Sequence, residues 1–190
     1  MTLLRIMNQR IGLRCNAVLG LWLAFALLAV PTLAQEPAAK PDWTAWQFLL
    51  GEWIGEGSAR DPGQGTGRFS FSFNLQERIL VRKNHVEFPP TFSRAVSVHD
   101  DLLVVFGQAG GATRALYDDN EGHVILYDAT AWRDSTAAFL SDPSPAAPRF
   151  RLSYATAGRD TLIIAFEIAP PGQSDRFVPY LKGRAHRMVL

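Results

Sequence analysis

Short apolar segments, broken every eight to twelve residues by Gly, Pro, Asp or Asn, run from residue 51 to the end of the chain. No stretch after residue 50 keeps a helical period, and connections this short can join strands only in antiparallel order. The clearest segment is 67–75. There Phe69, Phe71, Phe73 and Leu75 share one face, and Ser70, Ser72 and Asn74 share the other, the two-residue period of a half-buried strand. Further segments are expected at 52–58, 78–88, 93–98, 101–108, 113–118, 123–130, 137–141, 149–156, 161–168 and 177–188. Residues 118–122 (DDNEG) and 157–160 (AGRD) are turns, with Gly122 suited to a positive φ.

About ten strands in sequence order form an up-and-down meander that can close on itself and lose its exposed edges. The expected fold is therefore an all-β antiparallel barrel, with a two-sheet sandwich as the alternative. A barrel of this size encloses packed side chains or one small ligand. Ahead of the strands, residues 43–50 (WTAWQFLL) fit one or two helical turns that bring Trp43, Trp46, Phe48 and Leu50 to an apolar surface.

The start of the chain has a different character. Arg5, Arg10 and Arg14 precede an apolar run at 17–30, and Pro31, Thr32, Leu33 and Ala34 follow it. A basic start, a short apolar core and a small residue at the end make up a secretory signal peptide. The run is shorter than the about 20 residues of a membrane span, so cleavage after Ala34 is expected; an uncleaved anchor is the alternative. The domain plan is then a signal peptide at 1–34, a Pro- and Ala-rich linker at 35–42 and the barrel at 43–190, periplasmic or secreted, with no membrane span left after cleavage.

Cys15 is the only cysteine and leaves with the leader. It precedes the apolar run and so cannot be a lipoprotein acylation site, and the mature chain has neither a disulfide nor thiolate chemistry. Of 19 basic and 18 acidic residues, the leader removes three arginines and no acid. What remains is slightly acidic without a Lys/Arg run, which excludes an electrostatic footprint for nucleic acid.

Leu50-Gly51-Glu52-Trp53 at the head of the first strand resembles the Gly-x-Trp signature of the calycins, the superfamily of lipocalins and fatty-acid-binding proteins. Its continuation to Gly57, the Gly-rich loop at 62–67 and the hairpin at 117–127 (YDDNEGHVILY) are similar to nitrobindin-like and lipocalin-like bacterial domains. The resemblance implies a lipocalin-like barrel whose first-strand Trp closes one end beneath an Arg of the last strand. Trp53 with Arg184 or Arg187 would form that structural plug. It also raises a haem alternative, since nitrobindins hold haem iron through a late-strand His and His186 is the only His near the end of the chain.

The strand at 78–88 sends Arg82, Asn84, Val86 and Phe88 one way and Val81, Lys83, His85 and Glu87 the other. Either face puts polar groups inside. An inward Arg82 or His85 could anchor the polar end of a lipid-like ligand, Phe69, Phe71 and Phe73 could form the apolar wall, and Tyr117 and Tyr127 could add hydroxyls. An edge or rim strand with both faces wet fits the same pattern. His85, His99, His123 and His186 show no metal-ligand spacing, and no cofactor is expected apart from the haem alternative. No nucleophile motif and no phosphate-cradling loop ahead of a helix is present.

The function expected first is an exported barrel that binds a small apolar or amphipathic molecule. Two others stand beside it: a haem or enzymatic barrel in which His85, His123 or His186 converge, and a filled barrel that acts through its surface.

Overall fold

The computed structural model describes residues 40–56, 65–92, 95–132 and 135–188. The expected signal peptide at 1–34, most of the expected linker and half of the Gly-rich loop at 62–67 lie outside the described residues. One compact unit spans Ala38–Leu190.

A short 3-10 helix, η1 (Thr44–Leu49), is followed by ten strands: β1 (Gly51–Gly55), β2 (Thr66–Asn74), β3 (Ile79–Phe88), β4 (Ser97–Gly107), β5 (Thr113–Asp119), β6 (Val124–Trp132), β7 (Thr136–Ser141), β8 (Arg149–Thr156), β9 (Thr161–Ala169) and β10 (Val178–Arg187). Each strand pairs antiparallel with the next, and β1 pairs with β10 to complete a closed barrel. The closing register sets Trp53 opposite Arg187 and Gly55 opposite Ala185. The sandwich alternative is excluded by that closure. A closed antiparallel meander of this order fits a calycin or lipocalin-like fold.

Alternation decides which side chains fill the barrel. Phe69 and Phe71 are buried while Arg68 and Ser72 are exposed. On β4 the buried positions are Asp101, Leu103 and Val105, and on β6 they are Tyr127 and Ala129. Phe71, Leu80, Val105, Phe139, Tyr154 and Leu162 pack as a core, with the Phe71 and Phe139 rings edge-on to Tyr154 at 5.3 and 6.2 Å.

Two expectations are corrected. The segments at 93–98 and 101–108 are not separate: residues 97–107 form the single strand β4. The break expected at His99 and Asp100 does not occur: strand pairing carries through it, and His99 and Asp101 find partners inside the barrel. Leu75 does not continue the phenylalanine face. It opens a left-handed turn, with φ of 49°, 56° and 65° at Leu75, Gln76 and Glu77, and its side chain is exposed.

One end of the barrel is sealed. Trp43, Trp46 and Leu49 of the η1 segment are buried, and Trp46 packs against Phe139 at 5.8 Å. The Trp43 indole N–H donates to the Glu77 carbonyl at 2.7 Å, and the Trp53 indole N–H donates to the Leu49 carbonyl at 2.8 Å. Gly51 makes the turn from η1 into β1 at φ 109°, and a Cβ there would meet the Arg187 guanidinium at 2.7 Å, so glycine is required on both counts.

Candidate functional site

The interior is graded along the barrel axis. Near η1 the inward residues Leu80, Val105, Ala115, Ala137, Tyr154, Leu162 and Ala185 are fully buried. Toward the opposite end the inward residues Asn84, His99, Tyr117, Ile125, Phe150 and Phe166 are only half-buried. The partly exposed inward residues among those described thus lie toward the end that carries the β3–β4, β5–β6, β7–β8 and β9–β10 connections. Among the described residues, the inner wall is packed at its base and only half-buried in its upper part, the cup.

One wall of the cup is polar. At its base, Arg82 lies inside the barrel, where its guanidinium donates to the Asp101 carboxylate and to the Tyr154 hydroxyl. Side-chain exposure is 8% for Arg82 and 2% for Asp101. Burial lowers the affinity of Arg82 for its proton, but Tyr154 and Asp101 outweigh that cost and hold the guanidinium charged. The second Asp101 oxygen accepts from the Asn84 amide at 2.8 Å and lies 3.3 Å from His99 Nε2. Arg82 Nε is buried with no acceptor, the one such side-chain atom among the described residues. Native interiors rarely leave a donor in that state.

The network continues outward to the rim. His99 Nε2 lies 3.2 Å from the Tyr117 hydroxyl, and His99 Nδ1 lies 3.2 Å from Glu121. Tyr117 donates to Asp119 at 3.0 Å. Burial, followed by the Asp101 and Asp119 carboxylates, pushes the Tyr117 hydroxyl well above the ordinary tyrosine range, so it stays a phenol. Asp119 also accepts the backbone N–H groups of Glu121 and His123 at 2.9 Å each and lies 2.9 Å from His123 Nδ1. Partial burial raises its pKa, and these bonds more than reverse that, to about 2. An unbroken chain of polar groups thus runs from Tyr154 in the core to the β5–β6 turn.

The facing wall is apolar. Phe150 and Phe166 stack at 5.8 Å with their planes 11° apart, and Tyr180 meets Phe166 edge-on at 6.0 Å. Ile164 and Ile168 continue this wall along β9 on the face of Phe166. A cup with amide, imidazole and phenol on one side and stacked rings on the other can orient a molecule that has one polar and one apolar end.

The other sequence-derived candidates lie elsewhere. Phe69, Phe71 and Tyr127 are buried in the core, and Phe73 packs at its sealed end against Trp43 at 5.8 Å. His85 stands on the outer wall between Asp100 at 2.6 Å and Glu87 at 3.0 Å; hydrogen bonds from Glu87 and Asp100 raise its pKa. His186 is also on the outer wall, paired with Glu56 and 3.2 Å from Thr161. His85, His123 and His186 share no partner among the described residues, and no group of three metal-ligating side chains occurs among them. Of the two late arginines, Arg187 covers Trp53, with its Cζ 4.2 Å from the ring centroid, while Arg184 lies 3.5 Å from Glu56. A cleft of about 330 Å³ is lined by Glu52, Trp53, Arg68, Phe69, Ser70, Lys83, His85, Asp100 and Met188, and also by Asn84 of the polar wall. It carries charges of both signs.

Sequence reasoning missed His99, Asn84 and Asp101. The signal was the phase of alternation: Arg82 and Asn84 on one strand, His99 and Asp101 on the next, all fall on inward positions. The register that aligns Asn84 with Asp101 emerges only once β4 is read as one strand.

No family model matches this chain, and no curated protein matches it. Among the described residues, no helix is long and apolar enough to cross a membrane.

Proposed function

We propose that this chain is an exported lipocalin-like protein that holds a small amphipathic molecule in the open half of its barrel. The observation that carries the reading is the split character of the half-buried inner wall: Asn84, His99 and Tyr117 on one side, Phe150 and Phe166 on the other. The apolar end of the ligand lies against the rings, where each buried methylene contributes about 0.8 kcal/mol. The polar end meets the network at its accessible edge and fixes the orientation. Arg82 supports this edge from below, and Phe69, Phe71 and Tyr127 form the packed base on which the ligand rests. The leader sequence supports export.

Native mass spectrometry of the purified protein beside its denatured mass tests the reading. A discrete mass excess that is lost on unfolding is the expected result. Equal masses, together with no binding of added 1-decanol, would contradict it.

A further inference from the structure

We infer that the outer wall of β3, β4, β5 and β6 is the contact surface of a two-fold dimer, covered by a second copy of this chain. The inference stands apart from the proposed ligand cup and concerns the opposite face of the sheet. On these four strands the register aligns two outward-facing rows. Val81, Val104, Leu116 and Leu126 make up one, and Lys83, Leu102, Asp118 and Val124 the other. Six aliphatic side chains thus lie side by side. Val81 and Val104 are half-buried, and Leu102, Leu116, Val124 and Leu126 are exposed. A contiguous apolar patch on an outer wall marks an interaction surface.

The charges in the second row select the partner. Lys83 and Asp118 are exposed, flank Leu102 on either side, and make no ion pair among the described residues. Charges at the margin of the patch are matched already: Arg114 by Asp128 and Asp142, and Asp100 by His85 at 2.6 Å. Two sheets that pack face to face lie about 10 Å apart with their strands nearly aligned. A two-fold axis between them, running along β4, exchanges β3 of one copy with β5 of the other. It sets Leu102 on Leu102, Val104 on Val104 and Val81 on Leu116. The same operation brings Lys83 of each copy opposite Asp118 of the other, so both open charges are answered twice over. The surface is its own complement, as an isologous interface requires. Charge pairs of this kind fix the register, while the aliphatic rows supply the buried area.

Sedimentation equilibrium of the purified protein tests the inference, and a reversible monomer–dimer equilibrium is the expected result. Lys83→Glu and Asp118→Lys each set like charges against one another, and each is expected to weaken the dimer at least about tenfold. An equimolar mixture of the two variants matches both charge pairs again and is expected to restore dimers, which also shows that both chains are folded. Leu102→Ser removes the apolar centre at an exposed position and is expected to weaken association several-fold. A protein that stays monomeric at millimolar concentration would overturn the inference and leave the face to a different partner. A dimer that all three variants leave unchanged, or a mixture as monomeric as its components, would overturn it as well.

Discussion

Arg82 and Asp101 form an ion pair inside the barrel, on neighbouring strands β3 and β4, with side-chain exposures of 8% and 2%. Neither charge could be buried without the other. Replacing one partner leaves an uncompensated charge and costs about 3–5 kcal/mol, whereas replacing both with apolar side chains of similar volume costs much less. Asp101→Leu alone is therefore expected to lower the urea midpoint strongly, and Arg82→Met with Asp101→Leu to recover most of the loss. A double variant as unstable as the single one would show that the pair contributes through shape and not through charge matching.

Arg187 ties the last strand to the sealed end. Its guanidinium lies over Trp53 and donates to the carbonyls of Leu50 and Phe48. The stacked cation contributes about 0.5–1 kcal/mol and its hydrogen bonds roughly as much again. Arg187→Ala is expected to destabilise the barrel by about 1–2 kcal/mol, measured by chemical unfolding followed through tryptophan fluorescence. Lysine, a point charge without the planar fork, is expected to restore less than half.

The turn at Leu75, Gln76 and Glu77 places three consecutive non-glycine residues in the left-handed region, which costs L-residues about 1–2 kcal/mol each. Gln76 is exposed, so Gln76→Gly removes strain without removing packing. A gain of up to about 1 kcal/mol in unfolding free energy is expected, and a loss would mean that the turn is held by the Gln76 side chain.

Asp119 gives the fold an acid dependence of known sign. Its pKa falls from 3.8 to about 2 in the folded protein, so its carboxylate adds stability that is fully present above pH 3.8 and lost as the pH falls toward 2. The contribution is on the order of 1 kcal/mol after allowance for solvent screening. Asp119→Asn is expected to flatten the stability profile across that interval. An unchanged profile would place the acid sensitivity elsewhere, with Glu167 beside Arg151 the next group to test, since hydrogen bonding to Arg151 also lowers its pKa.

The fold was legible because alternation and turn residues are local signals, and ten closely spaced strands leave few ways to pair. Phe69 and Phe71 against Ser70 and Ser72 gave the phase of β2 directly. The continuity of β4 through residues 99 and 100 was not legible, because polar His99 and Asp101 show no reason to face inward until their partners on β3 and β5 are known. Those partners lie 17 to 19 positions away for Asp101 and 18 to 22 for His99. Leu75 failed for the opposite reason: it matches the face pattern, and only the backbone reversal with its positive φ takes it out of the core. The gradient from a packed base to a half-buried upper wall depends on η1 sealing one end, which no single strand encodes.

The central claim, that the open half of the barrel receives an amphipathic molecule, is tested most directly by following the NMR spectrum of the purified protein during titration with 1-decanol. Saturable shifts at His99, Tyr117, Phe150 and Phe166, with Lys83 and His85 unmoved, are the expected result. Shifts confined to the outer wall around Lys83 and His85, or none up to the solubility limit of the alcohol, would contradict it.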